Sequence, residues 1–180
     1  MFFSLNKSKS LYLKLGFSFF ILIFITTILQ TSYTYFSTKK ELYSEIENNI
    51  NVSLKQLENS VITFVESYQV NNYNRIIKNE MAHQNLLAII LEDYVTGKII
   101  GEDKYISGFF RNNEFEVIEY NIKNIEHKHQ MNTSIFSKEL ELKNSQNETI
   151  AILKIYGTDY YINKKLFTIK KIFYMYLFYK

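Results

Sequence analysis

The sequence predicts an α+β protein that a helix near its amino terminus anchors in a membrane. Three patterns predict this class. An uncharged and mostly apolar run covers residues 15–36, apolar residues at helical spacing follow over residues 38–68, and strand-like runs separated by turn residues occupy residues 86–156. We therefore expect a membrane helix, a long helix, an antiparallel sheet of about five strands and a C-terminal helix that leads back to the membrane.

Residues 15–36 are long enough to cross a bilayer as a helix. Eleven Leu, Ile and Phe residues between positions 15 and 29 favour insertion by about −5 kcal/mol, summed on a per-residue insertion scale. No A-x-A-like cleavage site follows Leu29, so an uncleaved anchor is preferred over a cleaved signal peptide, which would release a secreted domain. The run is predicted to be a transmembrane helix.

The orientation of this helix follows from the charges that flank it. Residues 1–14 carry Lys7, Lys9 and Lys14 and no acidic residue, which predicts a cytoplasmic amino terminus. Lys39 and Lys40 on the other flank oppose this orientation, although three glutamates follow within eight residues. The domain after the helix is predicted to be extracytoplasmic, at a bacterial inner membrane.

The composition excludes several classes of protein. The 21 basic and 18 acidic residues are nearly balanced, so nothing indicates nucleic-acid binding. Without cysteine the chain has no disulfide framework and no thiolate metal site. The absence of proline and the presence of only five glycines indicate mostly regular structure. After the anchor, the length leaves one small domain, predicted at residues 37–163.

The helical part of this domain is predicted at residues 37–83. Its apolar stripe has intervals of three and four, typical of one helix face. The stripe consists of Leu42, Ile46, Ile50, Leu54, Leu57, Val61, Phe64 and Tyr68. It predicts either a parallel coiled coil with a second copy, and hence a homodimer, or packing on the chain's own domain. Asn71 and Asn72 interrupt the stripe, and a second helix is predicted at residues 73–83.

The sheet is predicted at residues 86–156 from apolar runs and turn residues. Residues 86–91 form a first strand, and residues 93–97 read as a turn into a second. Two further hairpins are predicted: residues 105–110 with 115–120, and residues 135–142 with 149–156. Residues 121–132 are polar, which leaves a loop or a short helix open.

The end of the chain is predicted to be helical and close to a membrane. Residues 159–171 have a helical pattern, and residues 172–179 are uncharged and aromatic but too short to cross a bilayer alone. Lysines precede the aromatic run, which suits an interfacial position. We therefore expect residues 164–180 to be a C-terminal helix that begins a truncated second membrane segment.

Residues 79–121 carry short elements of a known kind of sensor domain. These are the apolar run before Glu92 and Asp93, the sequence GKIIG at residues 97–101, YISG at residues 105–108, Arg111, and residues 117–120. The segment resembles the extracytoplasmic PAS-like, single Cache type domains of bacterial transmembrane sensor histidine kinases and diguanylate cyclases. The resemblance implies a sensory input module that binds a small ligand and passes a helix displacement through the membrane, as in two-component systems. Nothing in the sequence corresponds to a kinase or cyclase output domain.

No catalytic or metal-binding pattern is found in the sequence. His83, His127 and His129 lack zinc spacing and are expected at the solvated surface. The adjacent pairs at residues 92–93 and 102–103 would point to opposite faces of a strand, so they read as solubilising strand ends. Nucleophile-elbow, Walker, dinucleotide and H-E-x-x-H motifs are absent. We predict no catalytic residue, no metal and no cofactor.

A ligand pocket on the sheet is the remaining kind of site, and four side chains of the central hairpins are its candidates: Lys98, Tyr105, Arg111 and Tyr120. Arg111 could hold a carboxylate bidentately while a tyrosine closes over it. Alternatively, Arg111 forms a salt bridge with Glu114 at a turn and the tyrosines are ordinary sheet residues. The chain could then be a membrane-anchored interaction or scaffold protein without a ligand.

Overall fold

The computed structural model of this chain describes residues 4–132 and 134–178. The outermost residues of the two predicted membrane-flanking segments, 1–3 and 179–180, lie outside this description. The chain forms two compact units. We call Met1–Glu41 with Leu166–Lys180 the anchor unit and Leu42–Lys165 the sheet unit.

Five helices and five strands make up the described chain. The helices are α1 (Ser4–Glu66), α2 (Val70–Glu80), α3 (Tyr94–Ile100), α4 (Ile125–Met131) and α5 (Tyr160–Phe178). The strands are β1 (Leu86–Asp93), β2 (Tyr105–Arg111), β3 (Val117–Glu119), β4 (Phe136–Lys143) and β5 (Thr149–Gly157). The predicted α+β class, with its long apolar first helix, five-stranded sheet and C-terminal helix, is confirmed.

The apolar part of α1 lies in the anchor unit. It is the one described stretch of helix that is long and apolar enough to cross a membrane, and none of it is buried within the chain. Five of its hydroxyl groups, those of Ser18, Thr26, Thr27, Thr31 and Thr34, donate to carbonyl oxygens of the preceding turn; Thr27 Oγ1, for example, donates to that of Ile23 over 2.7 Å, and Thr31 Oγ1 to that of Thr27 over 2.8 Å. Such bonds remove the cost of placing hydroxyls in hydrocarbon, so this part of α1 is compatible with a transmembrane helix.

The sheet has the strand order β3-β2-β1-β5-β4, and every neighbouring pair is antiparallel. The first and last strands of the chain therefore lie side by side near its centre. Two of the predicted hairpins are present, β2 with β3 and β4 with β5. The hairpin predicted from the first strand through a simple turn at residues 93–97 is wrong, because residues 94–100 are helical and β1 pairs with β2. Asp93 Oδ1 accepts the N–H groups of Val95 and Thr96 over 2.9 and 2.8 Å, which caps a helix and starts α3 instead.

One face of the sheet packs on the helices of the sheet unit. The stripe residues Ile46, Ile50, Leu57 and Val61 are almost completely buried there. A side chain at Gly157 of β5 would lie 2.6 Å from Ile50 Cδ1, so the helix and the strand approach closely. The stripe thus packs on the chain's own sheet, the second of the two alternatives. The homodimer stays a prediction, and this stripe is not free to form its seam.

Several polar residues that the sequence placed at the surface are buried. Asp93 is fully enclosed and accepts hydrogen bonds from Tyr73 Oη over 3.1 Å and Thr96 Oγ1 over 2.6 Å. Burial, followed by the charge of Asp93, raises the pKa of Tyr73. Glu92 and His127 are also buried. The prediction of solubilising strand ends at Glu92 and Asp93 is wrong, because every residue of β1 is buried. The prediction of a solvated His127 is also wrong, because its imidazole packs on the ring of Phe110.

Candidate functional site: a cavity on the second face of the sheet

The register of the central strands defines a second sheet face, opposite to the one that packs on α1. Glu92 of β1 lies between Ile106 of β2 and Ile152 of β5, and Ile90 lies between Gly108 and Lys154. Directly opposed residues share a face, so Ile90, Glu92 and Lys154 point to the same side. Alternation sends Ile89 and Leu91 to the opposite side.

A cavity of about 370 Å³ lies on this second face, beneath α4. This volume is in the range of pockets that hold small molecules. Its lining combines aliphatic side chains, two phenols and three charged groups. The lining residues are Ile90, Glu92, Ile106, Tyr120, Ile122, Lys128, Met131, Asn132, Lys154 and Tyr156. Such a mixture can enclose an apolar body and orient a polar group on it.

Glu92 is the charged centre of this cavity. Its carboxylate accepts hydrogen bonds from Lys104 Nζ at 2.8 Å and lies 3.1 Å from Lys154 Nζ. Lys154 Nζ also lies 3.4 Å from the carboxylate of Glu139 on β4. The side chain of Glu92 is 11% exposed and that of Glu139 is 62% exposed, so Lys154 bridges a buried and a solvated carboxylate. Of its two partners, the outer one is easier to exchange for a ligand.

The electrostatics of the pair keep both groups ionised. Burial opposes the charge on Glu92, but the hydrogen bonds and charges of Lys104 and Lys154 outweigh it and lower the pKa of Glu92. Burial likewise opposes the charge on Lys154, but Glu92 and then Glu139 outweigh it and raise the pKa of Lys154. A buried carboxylate is retained here because it has two cationic partners.

Tyr120 and Tyr156 bring phenol groups to the cavity. Both are half-buried, and burial is the main reason why the pKa of each is raised. The hydroxyls therefore stay protonated near neutral pH and can donate or accept a hydrogen bond. The ring of Tyr120 stands edge-on to that of Phe110, with 6.4 Å between centroids. This contact holds the phenol at the cavity wall.

Helix α4 covers the cavity, and His127 attaches it to the sheet. The imidazole lies on the ring of Phe110, with 3.9 Å between centroids, and its Nδ1 accepts the N–H of Asn121 over 3.2 Å. Lys128 and Met131 of the same helix reach the cavity. A histidine that the sequence assigned to solvent thus positions the cover of the candidate site.

Only one of the four candidate residues lines this cavity. Tyr120 is part of its wall. Lys98 is exposed on α3. Tyr105 pairs with Asp93, which belongs to the face that packs on the helices. The structure therefore does not bring the four together, and the lining is completed by Glu92, Lys154 and Tyr156 instead.

Arg111 holds backbone segments together at the end of β2. Its Nε donates to the carbonyl oxygen of Leu86 over 2.9 Å and Nη1 to that of Phe115 over 3.0 Å. Nη2 donates to the carbonyl oxygens of Met81 and, over 3.4 Å, His83. These bonds use four of the five N–H donors of a guanidinium. A salt bridge to Glu114, the alternative that the sequence left open, is not among the ion pairs of the described residues.

Arg111 also borders a wider cavity of about 640 Å³, together with Lys78, Met81 and Tyr161. Because most of its donors already bind carbonyl oxygens, Arg111 has little capacity left for bidentate recognition of a carboxylate. The cavity above Glu92 is the better candidate, since its charged groups are paired through side chains that can exchange partners.

Alternation in the sequence of β5 was the available signal for the residues that were missed. Ile152, Lys154 and Tyr156 follow one another at intervals of two, so they share a strand face. Glu92 offered no such signal, because its partners come from Lys104 and Lys154, distant in sequence. In the described part of the chain, no group of three or more His, Asp or Glu side chains is placed to hold a metal ion.

No protein-family model matches this chain, and neither does any curated protein. The resemblance of residues 79–121 to sensor domains stays a prediction.

Proposed function

We propose that this chain is the sensory input module of a bacterial membrane-bound signalling receptor, which binds a small extracytoplasmic ligand in the cavity above Glu92. The observation that carries the proposal is a cavity of about 370 Å³ built on the central strands. Its wall holds Lys154, which pairs with the buried Glu92 and with the exposed, more easily exchanged Glu139. A pocket that combines apolar walls with a few convergent polar groups and charged residues of shifted pKa is the usual form of a small-molecule site.

The arrangement of the sheet supports the PAS-like part of this proposal. A five-stranded antiparallel sheet with helices on one face and a covered cavity on the other is compatible with that fold. The segment whose sequence resembles Cache domains supplies β1, β2 and β3, and with them Glu92 and Tyr120.

Strand β5 connects the cavity to the helix that follows it. Lys154 and Tyr156 of β5 line the cavity, and α5 begins three residues after the strand ends. Between them, Asp159 accepts a hydrogen bond from Tyr43 Oη of α1 over 3.1 Å. If β5 can adopt two positions, a ligand that binds one of them more tightly favours that position. The start of α5 would then move relative to Tyr43 of α1. Such a shift is the helix displacement that the receptor would transmit across the membrane.

A thermal-shift screen of the full chain in lipid nanodiscs tests the proposal. The probes are the twenty standard amino acids and a set of mono-, di- and tricarboxylic acids, each added separately. A ligand present at about 100 times its Kd stabilises the folded state by about 2.7 kcal/mol, which raises the melting temperature. We expect at least one probe to do so, and Lys154→Met to abolish the shift while Lys143→Met preserves it.

If no probe raises the melting temperature and the same nanodiscs stably capture a protein partner, this function is contradicted. That outcome would favour the membrane-anchored interaction or scaffold protein.

A further inference from the structure

The anchor unit brings a lysine of α5 next to the end of the apolar part of α1. Lys170 Nζ of α5 lies 5.1 Å from the ring centroid of Tyr35 on α1. Lys39 follows Tyr35 by four residues, so the two share a helix face. Lys40 follows Lys39 in the sequence, and Lys171 follows Lys170. All these residues belong to the anchor unit. We call Tyr35, Lys39, Lys40, Lys170 and Lys171 the lysine cluster.

The lysine cluster lies just beyond the apolar part of α1. The predicted membrane span ends at Phe36, and a helix rises 1.5 Å per residue, so Lys39 and Lys40 lie about 4.5 to 6 Å further along the axis. The polar layer of a bilayer is about 5 to 8 Å thick on each side of the hydrocarbon. Tyrosine is enriched at this boundary. If residues 15–36 span the membrane, the lysines lie among the lipid phosphates.

The charge of this region is strongly one-sided. Helix α5, over Tyr160–Phe178, contains four lysines and no acidic residue, although the whole chain is nearly balanced. Glu41 is the one acidic residue in the sequence of the anchor unit. Lys40, Lys170 and Lys171 are exposed. Positive charge at the depth of the headgroups attracts anionic lipids. Each lysine near an anionic membrane surface raises the affinity for that surface on the order of fivefold.

We propose that the lysine cluster is a binding site for the phosphate of anionic phospholipids. The ammonium groups of α1 and α5 would hold one headgroup between them, with the Tyr35 ring beneath Lys170. Depth selects a lipid over a soluble anion, because the acyl chains place the phosphate where the lysines are. The proposal does not depend on the cavity above Glu92 or on any ligand there.

Native mass spectrometry of the full chain, released from detergent, tests this site. The protein is incubated with equal amounts of phosphatidylglycerol and phosphatidylcholine. We expect adducts of phosphatidylglycerol to exceed those of phosphatidylcholine several-fold. The variant K39Q/K40Q/K170Q/K171Q should bind the two lipids equally, whereas the control K55Q/K123Q, which removes two lysines of the sheet unit, should keep the selectivity.

Equal binding of the two lipids by the wild-type protein would overturn the proposal, as would selectivity that survives in the fourfold variant. Displacement of phosphatidylglycerol by millimolar inorganic phosphate would show a site for free anions and would also overturn it. If the fourfold variant does not fold, its Lys→Arg counterpart and the wild-type protein decide. The Lys→Arg variant should keep the preference for phosphatidylglycerol. In the wild-type protein this preference should fall when the salt concentration rises from about 50 to about 500 mM.

Discussion

Glu92 is a charged residue in the middle of a strand that reads as hydrophobic. Six apolar residues precede it, and every residue of β1 is buried. A carboxylate is stable at this place because Lys104, the residue preceding β2, and Lys154 of β5 both approach it. Its ionisation is therefore coupled to folding.

Glu92→Gln is expected to destabilise the sheet unit by about 1–3 kcal/mol near neutral pH, because two ammonium groups lose a charged acceptor. The pKa of Glu92 in the folded chain is below its ordinary value of 4.5. Its stabilisation is thus present above pH 4.5 and is lost as the pH falls through the lower folded value. Thermal unfolding followed by circular dichroism should show a smaller acid-induced loss for Glu92→Gln than for the wild type.

Glu139→Gln is the control for this experiment, since that carboxylate is 62% exposed and screened by solvent. An equal effect of the two substitutions would contradict the role of burial.

Arg111 also acts at the scale of single side chains. Arg111→Lys should cost about 2–4 kcal/mol in the free energy of unfolding, because one ammonium cannot reach carbonyl oxygens of three backbone segments at once. Arg75→Lys, an exposed substitution on α2, should change stability by less than about 0.5 kcal/mol. Chemical unfolding of both variants measures the difference. Similar stabilities would show that the four hydrogen bonds of Arg111 contribute little.

At the scale of elements, the contact between β1 and β2 depends on the absence of a side chain at Gly108. A Cβ there would overlap the carbonyl oxygen of Ile89 and lie 2.8 Å from Ile90 Cα. Both atoms belong to the backbone of a central strand, so neither can move without disturbing the sheet. Gly108 lies directly opposite Ile90 in this strand pair, and Ile90 lines the cavity.

Gly108→Ala should therefore destabilise the sheet unit by about 1–3 kcal/mol and loosen the pairing of β1 with β2. Hydrogen exchange of the amides in these two strands should accelerate more than that of the β4–β5 pair. Gly16→Ala is the control, because an added Cβ meets nothing within 4 Å there. Uniform exchange across the sheet would contradict a local effect.

At the scale of the whole molecule, the side of the membrane on which the sheet unit lies determines what it can sense. The proposed extracytoplasmic location follows from Lys7, Lys9 and Lys14 before the anchor. Lys170 lies beside Tyr35 at the other end of the anchor. The four lysines of the lysine cluster therefore stand at that end, against three lysines before the anchor. The numbers of lysines on the two flanks are therefore similar, and chemical labelling distinguishes the two orientations of the anchor.

The absence of cysteine from the sequence makes that experiment direct. Ser145→Cys places a thiol in the exposed turn between β4 and β5, and Ser8→Cys places one before the anchor. In intact spheroplasts, a membrane-impermeant maleimide should label the first variant, and the second only after permeabilisation. The reverse pattern would place the sheet unit in the cytoplasm and exclude an extracytoplasmic ligand.

Local sequence patterns predicted the features that depend on neighbouring residues. An uncharged run long enough for a bilayer, intervals of three and four, and apolar runs between turn residues predicted the first helix, the helical stripe and five strands. Tyr120 was predicted as a site residue because it is an aromatic side chain of a central hairpin.

The burial and the partners of the charged residues follow from the folded arrangement of the strands and helices. Glu92 finds its partners 12 and 62 residues away along the chain, at Lys104 and Lys154. Arg111 binds carbonyl oxygens up to 30 residues before it, and His127 is enclosed by a ring from β2. Periodicity records the face on which a residue lies, but not which distant side chain meets it there. The cavity is therefore a property of the folded sheet.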